Sequence, residues 1–204
     1  MNYVIAIAAP IGAGKTTLTN ALATVLGNAP TIYFDNYECA TEKSVTELQA
    51  WLHNGADFNE FIAPNLAKDL SALKGGNTYF DPLTLTEIKQ RKFIVFEAPM
   101  GKEYFETAHL IDLLVWIELP LDVALARKIN QLTRECLANK ANETQGFLAW
   151  LDDYLKNYLL VVRQVLLLQK QKVSVNADII VDGEATLDTM VQQILAKIEK
   201  LYGY

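Results

Sequence analysis

The feature that most constrains this chain is a glycine-rich segment that directly follows a short apolar run. Residues 3–9 read YVIAIAA, and residues 10–17 continue as PIGAGKTT. An apolar run without alternation is typical of a strand buried on both faces, as in a parallel sheet. Helical spacing of leucines follows from Thr16 to Leu26. The glycines therefore lie in the turn between a buried strand and a helix.

This turn matches the phosphate-binding pattern G-x-x-x-x-G-K-[ST] at every position but one, because Ala9 stands in place of the first glycine. The pattern binds phosphate through backbone N–H groups and the positive end of the following helix, and Ala9 removes none of these donors. The alternative is a glycine-rich turn that arose by chance, but the position of this turn between a buried strand and a helix argues against that alternative. The predicted nucleotide-binding residues are Gly12, Ala13, Gly14, Lys15, Thr16 and Thr17. Lys15 is expected to reach the outer phosphates, and the Thr16 hydroxyl to serve Mg²⁺.

Further along the chain, apolar runs alternate with helical patterns. Predicted strands are Tyr3–Ala9, Thr31–Phe34, Phe93–Phe96, Leu113–Ile117 and Asp178–Val181. Predicted helices include 122–137, a long helix over 146–172, and 187–201, and residues 42–73 are mostly helical with breaks near 54–57 and at Pro64. Residues 79–91 have no clear pattern. Alternation of this kind predicts an α/β fold with a parallel five-stranded sheet covered on both faces.

The length and the net charge of the chain restrict the classes of function that it can have. The chain has 204 residues, which suits a single domain over 1–204, and a net charge of −6, which argues against general nucleic-acid binding. Its most apolar helical stretch, Tyr158–Leu168, contains Arg163 and is about half the length of a membrane span. No leader pattern is visible, and Cys39 and Cys136 form no CxxC motif. We therefore expect a cytoplasmic protein without membrane partners and with reduced cysteines.

Three carboxylates are candidates for chemistry near the loop. Glu97 ends the third strand, where it can hold Mg²⁺ or be a solvated charge. Asp35 ends the second strand, where it can accept a proton from an attacking hydroxyl or cap the next turn. Asp57 can bind sugar hydroxyls or form a helix N-cap with Glu60 as a capping box.

Two arginines share one face of the helix over 122–137. Arg127 and Arg134 are seven residues apart, opposite the apolar stripe of that helix. They can close over a nucleotide and stabilise the charge of a phosphoryl group in transfer, or they can belong to a solvated polar face.

Taken in order, these segments resemble the uridine kinase and phosphoribulokinase branch of the P-loop kinases. The resemblance covers most of the chain and rests on the segments IAAPIGAGKTTLTNAL, YFDNYE, FIVFEAPMG, DLLVWIELPLDVALARKI, YLLVVRQ and ADIIVDG. It implies a three-layer α/β/α P-loop NTPase fold, with a helical lid over roughly 127–146 and a substrate-side helical insertion over roughly 36–92. The lid departs from the family, because its basic run is sparser than usual.

The resemblance also implies roles for matching residues. Asp35 matches the catalytic aspartate, Glu97 the acidic residue near the metal, and Arg127 the start of the lid arginines, with Arg134 following. Asp57 is similar in placement to an aspartate that binds the substrate sugar. The predicted substrate-binding residues are Asp35, Tyr37 and Asp57. ATP and Mg²⁺ are the implied cofactors.

The predicted function is thus ATP- and Mg²⁺-dependent phosphorylation of a hydroxyl on a nucleoside or related small molecule, without a nucleic-acid partner. Two alternatives remain: a nucleotide-binding regulatory module that transfers no phosphate, and a P-loop NTP hydrolase. A homo-oligomer is compatible with the sequence, which does not determine the oligomeric state.

Overall fold

The computed structural model describes residues 2–37, 44–80, 87–88, 91–138 and 144–203. Seven strands lie in this part of the chain: β1 Tyr3–Ala8, β2 Thr31–Tyr33, β3 Tyr79–Phe80, β4 Glu87–Ile88, β5 Phe93–Glu97, β6 Leu113–Glu118 and β7 Ile179–Asp182. Five of them form one parallel sheet in the order β2-β5-β1-β6-β7, which confirms the predicted α/β fold. The short pair β3–β4 is antiparallel and separate. It lies in the region where the sequence had no clear pattern.

Eight α-helices occur in the same described ranges: α1 Lys15–Val25, α2 Val45–His53, α3 Leu66–Lys74, α4 Phe105–Ala108, α5 Leu121–Ala138, α6 Thr144–Asn157, α7 Arg163–Val173 and α8 Leu187–Tyr202. A π-helical turn, Tyr158–Val162, joins α6 to α7. The long helix predicted over 146–172 is therefore present but contains this wider turn. None of the described helices is both long and apolar enough to cross a bilayer.

Alternate residues of β1 build the two halves of the core, one on each face of the sheet. Val4, Ala6 and Ala8 face one apolar cluster, which includes buried side chains of α2, α3 and α7. Ile5 and Ile7 face the other, which includes buried side chains of α1 and α8. Because both faces of β1 are covered, its sequence is apolar at every position rather than alternating. These layers make the three-layer α/β/α arrangement.

The register of the sheet brings the ends of three strands level with one another. Glu97, the last residue of β5, pairs with Ile7 of β1 on one side and with Tyr33 of β2 on the other. Residues that directly follow β1 and β2 therefore meet Glu97 at one edge. In parallel sheets, ligands bind at this carboxyl edge.

The helical insertion expected at 36–92 contains α2 and α3. A capping box begins α2, in which Ser44 and Glu47 exchange side-chain and backbone hydrogen bonds. Asp57 caps a 3₁₀ turn over Phe58–Glu60 by accepting from the Asn59 N–H, so the capping box expected between Asp57 and Glu60 is absent from this described segment. Cys136 is free, whereas Cys39 lies outside the described residues, as does part of the predicted lid, 139–143.

Candidate active site

The loop between β1 and α1 has two glycines in the left-handed region. Gly12 has φ +82° and Gly14 has φ +88°, values that side chains other than hydrogen adopt only with strain. Gly14 immediately precedes α1, which begins at Lys15. The first backbone N–H groups of a helix have no partner within it, so those of Lys15, Thr16 and Thr17 are available to an anion at the positive end of the helix dipole. The N–H of Ala13 instead donates to the Pro10 carbonyl within the loop, at 3.2 Å.

Ala9, which replaces the first glycine of the pattern, does not need glycine in this fold. Its φ is not in the positive region, and its methyl group is fully buried among apolar neighbours. The Ala9 carbonyl accepts hydrogen bonds from Lys15 Nζ at 3.2 Å and from Gln169 Nε2 at 3.2 Å. The substitution therefore preserves the backbone and adds apolar packing.

Gly12 is the position at which the loop tolerates no side chain. A methyl group built there would lie 2.2 Å from the carbonyl oxygen of Ala124 and 3.3 Å from Cβ of Lys128, both on α5. Helix α5 thus packs directly against the backbone of the loop. The absence of a side chain at Gly12 sets how closely the helix can approach.

Lys15 lies across this loop. Its Nζ donates to the carbonyls of Ala9 and Pro10, at 3.2 and 3.4 Å. Burial lowers the pKa of Lys15 below its usual value, whereas the charges of Glu97 and Asp35 oppose that shift and that of Lys128 adds to it. Among the described residues, the ammonium donates hydrogen bonds to neutral carbonyls, so it is suited to receive phosphate oxygens, which would add the opposite charge.

Thr16 and Glu97 form the oxygen pair that fits a magnesium ion. Thr16 Oγ1 donates to Glu97 Oε2 at 2.9 Å, and Glu97 is only 6% exposed. Burial raises the pKa of Glu97, while Lys15 and the Thr16 hydrogen bond lower it and Asp35 raises it further. Mg²⁺ prefers hard oxygen ligands, one or two from protein and the rest from phosphate and water. The residues present therefore fit the implied ion.

Asp35 stands in a 3₁₀ turn, Phe34–Asn36, directly after β2. It is exposed, and its charge acts on both Lys15 and Glu97. The structure thus brings together the loop lysine and two carboxylates that the sequence separates by up to 82 positions.

A cavity of about 220 Å³ opens beside these groups. Five parts of the fold form its wall: the loop, the end of β2, the segment after β5, the insertion and α7. The residues that line it are Ala9, Ile11, Lys15, Phe34, Asp35, Phe58, Phe61, Pro99, Met100, Val165, Leu166 and Gln169. Ligand sites are typically apolar with a few converging polar groups, and this cavity has that composition at a volume below the usual range of about 300–1,000 Å³. A small molecule in the cavity would lie beside both Lys15 and Asp35.

Two residues predicted on the substrate side have structural contacts. Tyr37 is buried, and its hydroxyl donates to Asp69 Oδ2 at 3.1 Å. Asp57 Oδ1 accepts from the backbone and side chain of Asn59, at 2.9 and 2.7 Å, and these bonds lower the pKa of Asp57. Neither residue belongs to the wall of the cavity among the residues described. Direct substrate binding by Tyr37 or Asp57 stays a prediction.

On α5, the cation that lies near the loop is Lys128, which was not among the residues predicted from the sequence. Arg127 points elsewhere, since its Nη1 donates to the Gly183 carbonyl at 2.9 Å in the turn after β7. Arg134 is exposed further along the helix. Lys128, half-buried, lies against Gly12, and its charge acts on Lys15. Helical spacing from the buried Ala124 would have indicated Lys128, because residues four apart share a face.

Gln169 is the other residue that the sequence analysis missed. It is 7% exposed, and its Nε2 donates to Ala9 O at 3.2 Å and Pro99 O at 2.7 Å. A single amide side chain thus connects the loop after β1 to the segment after β5. Its only sequence signal was a polar residue within an apolar helical run.

Comparison with known proteins places this geometry in a familiar fold. No protein-family model and no curated protein matches the chain. Solved structures do match. Shikimate kinase from Acinetobacter baumannii in complex with shikimate aligns over 99% of this chain and 96% of its own, with 15% identity and a TM-score of 0.55. A gluconokinase from Sinorhizobium meliloti 1021 aligns over 98% and 94%, with 15% identity and a TM-score of 0.51.

A possible uridine kinase from Bacillus stearothermophilus matches with a TM-score of 0.48 over 89% of each chain, at 14% identity. The alignments with shikimate kinase and gluconokinase extend along nearly the whole chain and show that this protein shares their fold. They do not single out the uridine kinase branch that the sequence resembles.

Proposed function

We propose that this protein is an ATP-dependent kinase that phosphorylates a hydroxyl group of a small molecule. The observation that carries the proposal is the cavity whose wall includes both Lys15 of the phosphate-binding loop and Asp35 at the end of β2. Phosphate donor and hydroxyl acceptor would then meet at one edge of the sheet. The fold shared with shikimate kinase and gluconokinase agrees with this reaction class.

In the proposed mechanism, the loop and the start of α1 bind the phosphates of ATP, and Lys15 exchanges its two carbonyl contacts for phosphate oxygens. Thr16 and Glu97 would hold Mg²⁺, which neutralises phosphate charge when bound. The acceptor hydroxyl attacks the γ-phosphorus, its proton passes to the Asp35 carboxylate, and the bond to the bridging oxygen of ADP breaks. Positioning and charge stabilisation supply most of the rate in such transfers.

Lys128 is proposed as the cation of α5 that assists at the loop. It lies beside Gly12 and interacts electrostatically with Lys15, whereas Arg127 bonds to the turn after β7. Arg127 and Arg134 remain proposed lid residues, which a movement of α5 would have to bring towards the phosphates. The acceptor itself is proposed to be a nucleoside or a similarly small alcohol.

The test is the release of ADP from Mg·ATP in the presence of nucleosides, ring alcohols, shikimate and gluconate. We expect one acceptor class to stimulate release, Lys15→Ala to abolish it, and Asp35→Asn to reduce it by about 10²–10⁴-fold, the usual contribution of a general base. Asp153→Asn is the matched control, since this α6 carboxylate is 74% exposed and outside the cavity wall. Tight ATP binding without stimulation by any acceptor would favour the regulatory module. Acceptor-independent release would favour a hydrolase.

A further inference from the structure

The buried amide of Gln169 has a fixed orientation. Both atoms that its nitrogen contacts, Ala9 O and Pro99 O, are carbonyl oxygens. A carbonyl can accept a hydrogen bond from an amide N–H but can donate none to an amide oxygen. Hydrogen-bond chemistry therefore assigns the nitrogen to these contacts and leaves Oε1 as the remaining polar atom.

Oε1 of Gln169 has no hydrogen-bond partner within the described part of the chain, although it is buried. Buried acceptors in native proteins are nearly always paired, because an unpaired one loses its bonds to water without replacement. Gln169 belongs to the wall of the 220 Å³ cavity. Oε1 itself presents almost no open surface, so a ligand in that cavity is a candidate to supply the missing donor once the wall adjusts around it.

Away from Lys15 and Asp35, the cavity wall is apolar and favours a flat, uncharged group. Phe34, Phe58 and Phe61 contribute aromatic rings, and α7 contributes Val165 and Leu166. Phe58 and Phe61 lie with ring centroids 6.4 Å apart and tilted by 31°. Aromatic side chains bind other rings through offset or edge contacts and exclude water from polar groups nearby.

The helix that carries Gln169 is also irregular at this site. The π-helical turn Tyr158–Val162 ends at the residue before α7 begins. Such turns shift the helical face by part of a turn and occur frequently at functional sites. Here such a turn directly precedes the helix whose Val165, Leu166 and Gln169 border the cavity.

We propose that the acceptor is an alcohol on an uncharged planar ring, and that an N–H or O–H donor at the ring edge bonds to Gln169 Oε1. This inference rests on the proposed kinase function and specifies its substrate class. Nucleosides and ribose-free heteroaromatic alcohols share this chemistry. The ring lies among the phenylalanines, and the reacting hydroxyl lies towards Asp35.

Calorimetric titration of the wild-type protein, saturated with Mg·ADP, tests the inference with matched ligand pairs. Uridine is compared with 3-methyluridine, and pyridoxine with 3-O-methylpyridoxine, because each second compound lacks one ring donor. Shikimate represents a non-aromatic, charged alternative. We expect the donor-bearing member of one pair to bind about tenfold more tightly, the factor that one satisfied buried acceptor supplies. The pair that discriminates tells a nucleoside from a ribose-free ring.

Gln169→Leu then assigns that discrimination to the amide. The variant removes the acceptor and the two bonds to backbone carbonyls, so both ligands of a pair are expected to bind more weakly, but their affinity ratio should fall to about one. Gln171→Leu is the matched control, since Gln171 is exposed on the same helix and borders a different groove. It should keep the wild-type ratio. The wild-type ligand pairs give a result even where Gln169→Leu fails to fold.

Equal affinity within both pairs, binding of shikimate alone, or binding of none of these compounds would each overturn the inference. An unchanged ratio in Gln169→Leu would do so as well. ADP release measured on the same samples distinguishes a failure of this inference from a failure of the proposed kinase function. Stimulation by shikimate alone refutes the ring substrate and keeps the kinase, whereas discriminating ring binding without any transfer supports the ligand site and refutes the kinase.

Discussion

Gly12 offers the sharpest test of how the loop and helix α5 fit together. Gly12→Ala introduces a methyl group 2.2 Å from the Ala124 carbonyl oxygen, and real contacts of this kind stay beyond 3.0 Å. Either the loop or α5 must then move by about 1 Å. The backbone at φ +82° adds strain of about 1–2 kcal/mol, and overpacking adds about 1–3 kcal/mol. We expect a total loss of about 3 kcal/mol in the free energy of unfolding.

Gly14→Ala is the matched control for this experiment. Its φ of +88° gives the same backbone strain, but a methyl group there meets nothing within 4 Å. Its expected cost is therefore the strain alone, about 1–2 kcal/mol. For a chain of this length, 1 kcal/mol corresponds to about 2–4 °C in Tm.

Urea and thermal unfolding of the two variants measure the difference directly. Gly12→Ala should lower Tm by about 10 °C, and Gly14→Ala by about half of that or less. If both variants lose the same stability, the close approach of α5 to the loop does not exist as described. If Gly12→Ala is neutral, the left-handed backbone assigned to this position is wrong as well.

Four further substitutions test other contacts in and around the site. Ala9→Gly restores the common loop pattern, yet it should lower the free energy of unfolding by about 1–2 kcal/mol. The reason is that a buried methyl group is lost and the unfolded chain gains conformational freedom. If urea unfolding showed that the variant is more stable, the ordinary backbone conformation described for Ala9 would be wrong. Lys128→Met should weaken ATP binding about tenfold, because one nearby charge is lost. Arg127→Met should instead lower the free energy of unfolding by about 0.5–1.5 kcal/mol, because the bond to the turn after β7 is lost. Titration calorimetry and unfolding of both variants measure these effects, and weaker ATP binding by Arg127→Met alone would contradict the assignment of Lys128 to the loop. Burial raises the pKa of Glu97 from 4.5, so its ionisation opposes folding as pH rises above that value. Glu97→Gln should therefore be more stable than wild type at pH 7 but not at pH 4, and it should lose Mg²⁺-dependent turnover; equal stability curves would show that this carboxylate is not desolvated.

The sequence predicted well those features that depend on local patterns. Predicted strands and helices around the loop agree with the observed ones within one or two residues, because a strand buried on both faces is apolar throughout and helices repeat every 3.6 residues. The insertion was harder to predict. Its helices α2 and α3 flank a 3₁₀ turn capped by Asp57, where the pattern suggested a capping box with Glu60. Short turns are set by tertiary contacts, such as that of Asn59 with the Glu103 carbonyl.

The residues of the candidate site likewise divide into those that local patterns predicted and those that only tertiary contacts bring to the site. Lys15 and Thr16 were predicted from the loop pattern, and Asp35 and Glu97 because each follows or ends a predicted strand and strand ends share one edge of a parallel sheet. Gln169 was not, since nothing in its local sequence indicates contacts with residues 70 and 160 positions away.

By itself, the sequence determined the α/β fold, the glycine-rich loop between β1 and α1, and the edge of the sheet at which the acidic groups lie. These depend on apolar periodicity and on the backbone needs of a few glycines, both of which are local. Tertiary structure alone decided that Ala9 has an ordinary backbone, that Gly12 has no room for a side chain, that Lys128 rather than Arg127 lies against the loop, and that Gln169 borders the cavity. Each of these outcomes depends on how closely α5 and α7 pack on the loop, a distance that side chains far apart in the sequence set together.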